Sequence, residues 1–396
     1  MQDIKAVFDI GNGYIKGAVF VQEDDNVSVL AKDIVKIDGM RKSKILDIAK
    51  FAKNIGDVME KFVRKMGGDF VDEVIVGISH PEMQIERITE HKRVLNPTIT
   101  NADVNHLSKL MTEISHSENY ETVKILPIYR IIDETRKEKD PIGLQAKRLG
   151  LMADVFRIPK NFYNQILETF QKLHIKVVDI VPNILATAEA ALDFDQKDLG
   201  SLVIDIGTNQ TSYVVFEDGY PLEFGLFPYG GEDVTKDISI GMKVDIIEAE
   251  DLKVSHAIVS DDPDNPVSHT DDSPVDSLFL TQIVSARYAE IFELIQQRLV
   301  ALDRDGRLAG GVYITGGATK IPGILDLAKK VFTLACFEAK EKRLHVPDLS
   351  KNKQFLNCLG LYLWYTTYGA SRGGGLGFGL SMGWMNKIWG FFKDLF

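Results

Sequence analysis

Residues 7–20 read V-F-D-I-G-N-G-Y-I-K-G-A-V-F, and residues 203–216 read V-I-D-I-G-T-N-Q-T-S-Y-V-V-F. Val7, Asp9, Ile10, Gly11, Val19 and Phe20 return, at a constant offset of 196, as Val203, Asp205, Ile206, Gly207, Val215 and Phe216. Each stretch is an apolar strand, a turn built on Gly and Asn, and a second apolar strand, which is a hairpin pattern. D-I-G alone is a common way for a strand to enter a turn, but here the flanking strands match as well. Two such hairpins half a chain apart predict an α/β protein of two related halves with a ligand between them.

The turns carry chemistry suited to a nucleotide. Asp9 closes a strand just before Gly11-Asn12-Gly13, and glycines let backbone N–H groups wrap phosphate oxygens. Lys16 is placed to add a point charge to the same phosphates. Asp205 repeats the carboxylate, followed by Gly207-Thr208-Asn209. Two carboxylates facing across a cleft can hold a hydrated Mg²⁺ through its waters, because this cation keeps several waters and takes few protein ligands. A third element, Ile314-Thr315-Gly316-Gly317-Ala318, ends a strand before an expected helix, a geometry that suits close approach of a nucleoside or phosphate. Other nucleotide motifs do not fit. Lys16 stands where a dinucleotide fingerprint needs its third glycine, and the chain has no Gly-Lys pair, hence no Walker A loop.

Bulk properties narrow the class. A chain of 396 residues that is 45% hydrophobic can bury a sizeable core and predicts two to four domains. A net charge of −11 argues against nucleic acid as a partner, since phosphate recognition needs a basic face. Cys336 and Cys358 show no metal or redox spacing and are expected to be buried and reduced, as in a cytoplasmic protein. Met1-Gln2-Asp3 runs straight into a strand, which leaves no room for a signal peptide. No apolar run reaches 18 residues, so any membrane contact should be peripheral.

Periodicity predicts a helix over 45–66, a buried strand over 74–78, helices near 159–173 and 183–193, a long helix over 279–303 and a strand over 312–315. Residues 80–157 differ in texture, with short strands at 125–132 and 151–155 around a helix near 104–114, and read as an insertion. Residues 260–276 form an acidic, proline-bearing stretch with no core pattern. Residues 369–383, G-A-S-R-G-G-G-L-G-F-G-L-S-M-G, read as a flexible tether.

The last stretch, W-M-N-K-I-W-G-F-F-K-D-L-F, is amphipathic as a helix. Trp384, Met385, Ile388, Trp389, Phe391, Phe392, Leu395 and Phe396 fall in one arc, and Lys387 and Lys393 on the other side. That is the pattern of a helix lying in a lipid interface. A partner's groove is the main rival. Two lysines make a single such anchor modest, and polymerisation would multiply it.

In combination these features resemble the actin, Hsp70 and sugar-kinase superfamily. Within it they resemble the FtsA family of bacterial cell-division proteins over nearly the whole chain. The residues that carry the resemblance are D-I-G-N-G-Y-I-K (9–16), D-P-I-G-L (140–144), L-A-T-A-E-A-A-L (185–192), G-G-E-D-V-T-K-D-I (230–238), A-E-D-L-K (249–253), I-T-G-G-A-T-K-I-P (314–322) and the amphipathic end. The resemblance implies an actin-like fold: two duplicated RNase H-like halves around a nucleotide cleft, with an FtsA-type inserted subdomain and a C-terminal amphipathic helix. It divides the chain into subdomain 1A (1–79, 158–195 and 355–368), the inserted 1C (80–157), subdomain 2A (196–230 and 305–354), subdomain 2B (231–304), a linker (369–383) and a membrane-targeting helix (384–396).

It further implies ATP with Mg²⁺. Phosphate contacts fall on Gly11, Asn12, Gly13, Lys16, Gly207, Thr208, Asn209 and Gly231, and ribose or base contacts on Glu250, Lys253, Gly316 and Gly317, with Ala318 beside them. Asp9 and Asp205 are the carboxylates for the hydrated cation. Many relatives carry Glu-Pro where this chain has Asn183-Ile184, and Asn cannot act as a base. Weak ATPase activity at most is therefore expected, with no catalytic residue assigned. The implied role is a scaffold at the division septum, on the cytoplasmic face of the inner membrane. There it would polymerise and hold the tubulin-like protein FtsZ, with other division proteins as possible partners. The FtsZ contact is expected in 231–304, and Arg287 is a candidate. A pilus-assembly actin-like platform and a small-molecule kinase of the same superfamily are the competing readings.

Overall fold

The first hairpin joins Asp3–Ile10 to Tyr14–Glu23, and the second joins Ser201–Ile206 to Thr211–Glu217. Their registers are the same. Asp9 faces Lys16 and Ile10 faces Ile15, just as Asp205 faces Ser212 and Ile206 faces Thr211. The structure, a computed structural model, describes residues 3–23, 26–138, 140–260, 262, 276–344, 346–350 and 353–369. The predicted membrane helix, the tether beyond Gly369 and most of the acidic stretch lie outside the described residues.

Each hairpin grows into a five-stranded sheet by the same steps. A third strand, Asn26–Lys36 or Tyr220–Phe227, adds on the outer side of the hairpin. On the inner side, Glu73–Ile78 or Gly311–Thr315 pairs in parallel with the hairpin's first strand, and Lys176–Pro182 or Cys336–Glu338 pairs in parallel beyond it. The inner strands are apolar on both faces, as parallel strands under helices must be. Val74, Ile75, Val76 and Ile78 are all buried, and so are Val312, Tyr313 and Ile314. The recurrence in sequence is thus a recurrence of topology and register.

The chain divides into two compact units. One takes the chain as far as Ile10, then Ile15–Ala186, then from Cys358 on; the other takes Gly11–Tyr14 and Thr187–Asn357. In the first unit the helix Ile48–Lys65 starts three residues later than its periodicity suggested, because Lys44–Ile45 pairs with Met40–Arg41 in a small hairpin. Asp47 caps the helix by accepting from Lys50 N at 3.0 Å, a bond that contributes about 1 kcal/mol. Phe51, Ile55, Val58, Met59 and Phe62 form its buried stripe, and the rings of Phe8, Phe62 and Phe170 meet beneath it.

The insertion is a four-stranded sheet with one helix. Its strand order is Gln84–Arg93, Arg148–Pro159, Tyr120–Ile132, Arg136–Glu138, and the helix is Asn101–Ile114. Thr100 and Asp103 close a capping box at the helix start. Leu107 and Met111 pack on Ile125, Leu149, Leu151 and Val155. The two strands seen in the sequence are longer than expected. The strand Q-I-E-R-I-T-E-H-K-R was not foreseen, because it is an edge strand whose charges mask its alternation.

In the second unit the long helix runs Ser277–Ala301 and buries Leu280, Val284, Tyr288, Ile291, Phe292 and Ile295. One expectation needs correction here. The glycine turn at 316–318 does not start an α-helix: Gly317–Thr319 is a single 3-10 turn, and the next α-helix begins at Ile324. The left-handed Gly323 that precedes it breaks the chain direction between the two. Gly369 still belongs to a π-helical turn, Tyr365–Gly369, that follows the last described α-helix, Leu356–Trp364.

Candidate nucleotide site

Asp9 is almost fully buried where the first strand ends. Its two carboxylate oxygens take separate donors. Lys16 Nζ reaches Oδ2 at 2.9 Å, and Asn183 Nδ2 reaches Oδ1 at 2.8 Å. The lysine contact follows from register, since Asp9 and Lys16 are directly opposed on the hairpin. Lys16 is therefore held by Asp9 and is not aimed at open space, while its side chain keeps 22% exposure. Asn183 enters from the start of the helix Asn183–Ala191. Its amide must face the carboxylate with nitrogen, because an ionised carboxylate only accepts. This leaves Asn183 Oδ1 buried without a partner among the described residues. Gly77 makes room for it: a Cβ at position 77 would lie 2.3 Å from that oxygen.

The remaining candidates gather in the second unit. Gly207 N donates to Gln210 O at 2.9 Å and closes the second turn, as Gly11 N does to Tyr14 O at 3.2 Å in the first. Gly13 lies so close to Thr208 that a Cβ would come within 2.7 Å of Thr208 Oγ1. The second turn is stitched to the start of the helix Gly231–Met242. Gly231 N donates to Gly207 O at 2.9 Å and Glu232 N to Thr208 O at 2.7 Å, while Asn209 Nδ2 donates to Glu232. Where Lys16 opposes Asp9, Ser212 opposes Asp205.

Gly316 has φ 113° and ψ 161°, a conformation essentially reserved for glycine. A Cβ there would lie 2.2 Å from Ile206 O and 2.6 Å from Asp205 Oδ1. Asp205 and Gly316 are thus pressed together by the parallel pairing of their strands. Lys253 Nζ donates to Gly231 O at 3.0 Å, to Thr235 Oγ1 at 2.6 Å and to Glu250 Oε2 at 2.6 Å. Glu250 and Lys253 are therefore part of one network around the Gly231 helix start. Ala318 O accepts from the Tyr288 phenol, whose burial raises its pKa above the usual range.

Two members of this set escaped the sequence reading. Thr235 is visible only as the residue one turn after Gly231, and Tyr288 only as a polar residue on the buried face of the long helix. Among the described residues no cluster of three or more His, Cys, Asp or Glu could hold a metal ion directly.

Duplicated sheets of this topology, each ending its first strand in a carboxylate beside a glycine turn, define the actin-like class. The profile of the cell division protein FtsA family matches residues 202–360, and that of the SHS2 domain inserted in FtsA matches residues 82–156. The chain belongs to the FtsA family of cell-division proteins. It is 28% identical to FtsA of Enterococcus hirae over 365 residues, 89% of this chain and 81% of that one. Over 333 residues it is 28% identical to FtsA of Bacillus subtilis, covering 82% of this chain and 75% of that one. Among solved structures, the PilM-PilN type IV pilus biogenesis complex superposes with a TM-score of 0.65 at 15% identity, covering 91% of this chain and 97% of that one. MreB 5 of Spiroplasma citri bound to AMPPNP superposes with a TM-score of 0.52 at 12% identity, covering 92% and 96%. At such identities these two carry the fold alone.

Proposed function

We propose that this protein is a membrane-attached, ATP-binding scaffold of the division septum that polymerises and holds FtsZ at the cytoplasmic face of the inner membrane. Within the FtsA family, the observation that supports nucleotide binding is the shared register of Asp9 and Asp205, each followed by a glycine turn. ATP binds through Gly11, Asn12, Gly13, Lys16, Gly207, Thr208, Asn209 and Gly231, with Glu250, Lys253, Gly316, Gly317 and Ala318 around the nucleoside. Asp9 and Asp205, each followed by a glycine turn, would hold Mg²⁺ through its waters. The cation would neutralise phosphate charge. Asn183 accepts and donates but removes no proton, so ATP serves assembly more than turnover.

The FtsZ contact is best placed on the second unit's helices Gly231–Met242 and Ile246–Ser255. Ile240, Ile246 and Ile247 are 76%, 50% and 73% exposed there, apolar side chains that a partner could cover. Arg287 is a weaker candidate, because its guanidinium is already committed to Asp237 at 2.6 and 3.1 Å and to Glu290 at 2.5 Å.

The amphipathic segment 384–396 supplies the lipid contact. No helix among the described residues is long and apolar enough to cross a membrane. The test is co-sedimentation of the full chain with FtsZ and with lipid vesicles, with ATP and Mg²⁺ present or withheld. FtsZ and vesicle binding, the latter lost when 384–396 is deleted, is the expected result. Turnover of a sugar substrate, or capture of a pilus-protein peptide without FtsZ binding, would overturn it.

A further inference from the structure

The strand Gln84–Arg93 is ten residues long and lies at one edge of the insertion's sheet. It pairs with Arg148–Pro159 in unbroken antiparallel register, from Gln84 opposite Arg157 to Arg93 opposite Arg148. The ladder runs one step further, where Val94 N donates to Lys147 O at 2.9 Å. Bonded and non-bonded pairs alternate in such a ladder, so Lys92, Glu90, Ile88 and Glu86 bond inward as Val94 does. Ile85, Arg87, Thr89, His91 and Arg93 turn their N–H and C=O groups outward. Among the described residues, the outward backbone of Ile85, Thr89, His91 and Arg93 meets no hydrogen-bond partner.

An open edge of this length is a template for another strand, and proteins usually shield one with charge. Here much of that charge is drawn away from the edge. Arg87 holds Asp154 through bonds of 2.8 and 2.7 Å, Lys92 Nζ donates to Asp103 at 2.7 Å, and Glu86 accepts from Arg157 at 2.7 Å. The His91 ring lies against Gly150. Glu90 and Arg93 complete the charged set of the strand.

The strand is its own complement. Two copies related by a two-fold axis through Thr89 pair antiparallel, with outward groups facing outward groups. Thr89 faces the partner's Thr89, Arg87 the partner's His91 and Ile85 the partner's Arg93. On the other face Glu86 meets the partner's Lys92, and Ile88 the partner's Glu90. Opposite charges thus meet at both ends, while no carboxylate faces a carboxylate and no Arg or Lys faces another. Other registers conflict. An axis through Ile88 sets Glu86 against Glu90. One through Glu90 sets Glu90 against itself and Arg87 against Arg93, and one through Arg87 sets Arg87 against itself. Axes nearer the ends pair half the strand or less.

We propose that this edge joins two copies of the chain, with Thr89 on the two-fold axis and the two four-stranded sheets made continuous. Both Asn101–Ile114 helices then lie on the same face of the joined sheet. An isologous contact of this kind closes after two copies. It cannot lengthen a filament, so it acts beside the polymer contact of the proposed function and does not depend on it.

The test uses the full chain without lipid or nucleotide. Thr89→Cys sets two sulfurs across the axis, where bonded pairs hold their Cα atoms about 5.5 Å apart, within disulfide reach. Both native cysteines are buried and do not compete. Gln84→Cys is the control, because this register keeps its two copies ~30 Å apart. Mild oxidation should link most of the Thr89→Cys chain into dimer and little of the Gln84→Cys chain. Thr89→Pro removes only an outward N–H, which an edge strand tolerates. In analytical ultracentrifugation it should raise the dimer dissociation constant tenfold or more, with the melting temperature unchanged. A parent chain that stays monomeric, no cross-link at 89, or equal cross-linking at 84 and 89 overturns the proposal. So does an undiminished dimer in a folded Thr89→Pro variant. Where Thr89→Pro melts early, the two cysteine variants decide.

Discussion

Asn183 donates through Nδ2 to Asp9 Oδ1 at 2.8 Å, across 174 residues of sequence, with both side chains almost fully buried. The contact fixes the carboxylate that ends the first strand and leaves Asn183 Oδ1, over Gly77, as an acceptor without a donor among the described residues. Asn183→Asp would set two carboxyl groups at hydrogen-bond distance in a buried site. One of them must then hold a proton, and its folded pKa rises above the unfolded value of about 4. The destabilisation is therefore full at neutral pH and is relieved as pH falls through the raised value. Urea unfolding should show a loss on the order of 3 kcal/mol at pH 7, and a clearly smaller loss at pH 5. Equal losses at both pH values would refute the shared-proton account.

ATP turnover should be slow. The side chain at 183 cannot take a proton from water, and its donor is already spent on Asp9. Phosphate release by the purified full chain, with saturating ATP and Mg²⁺, should stay below about 1 per second, the low end of ordinary enzymes. Faster turnover would mean that another group acts as the base.

The D-I-G echo was legible because strand, carboxylate and turn all lie within fourteen adjacent residues, and the structure adds that the two registers are the same. What stayed hidden depends on distance or on edges. Asn183 was singled out, but its grip on Asp9 joins elements far apart in the chain. Gln84–Arg93 and Asn26–Lys36 carry polar residues that blur their period, as edge strands do. The helix expected after Gly316-Gly317 fails because its glycine conformation and a 3-10 turn intervene before Ile324. Thr235 lies inside the quoted stretch 230–238 and Tyr288 in no motif, and only packing reveals what either touches.

Gly316 and Gly317 separate structure from binding. Gly316→Ala forces a Cβ against Ile206 O and Asp205 in a backbone region closed to other residues. It should cost about 1–3 kcal/mol of stability and weaken nucleotide binding as well. Gly317 has open space around its Cβ position, so Gly317→Ala should unfold like the parent. Position 317 faces the nucleotide in the proposed site, so this variant should lose affinity for a fluorescent ATP analogue in titration without losing stability. Unchanged affinity would remove Gly317 from the site.

The two thiols should be inert in the folded protein. Burial pushes the Cys336 thiol up to about 12 and raises that of Cys358 further. Neither should react with Ellman's reagent at pH 8 until the protein unfolds, and both should react in denaturant. The sign of the linkage follows. The folded thiols hold protons that the unfolded ones, near pKa 8.5, release. Their contribution to stability is complete below about pH 8 and declines as pH rises toward the folded values. Rapid labelling of either cysteine under native conditions would contradict the buried packing.

Lys124 and Asp179 form an ion pair at 2.7 Å in which each side chain is about 5% exposed or less. The lysine lies on an insertion strand, Tyr120–Ile132, and the aspartate on the strand Lys176–Pro182 that leads into Asn183. Trp364, on the helix Leu356–Trp364, covers the pair with its ring 5.7 Å from the ammonium. Removing one partner strands the other charge away from water, so Lys124→Met or Asp179→Leu alone should cost about 3–5 kcal/mol. Replacing both removes the charge problem along with the attraction, and the double variant should fall within about 1 kcal/mol of the parent. Chemical denaturation of the three variants reads this directly. If the double variant is as damaged as the sum of the singles, the two side chains are not coupled and the stranded-charge argument fails here.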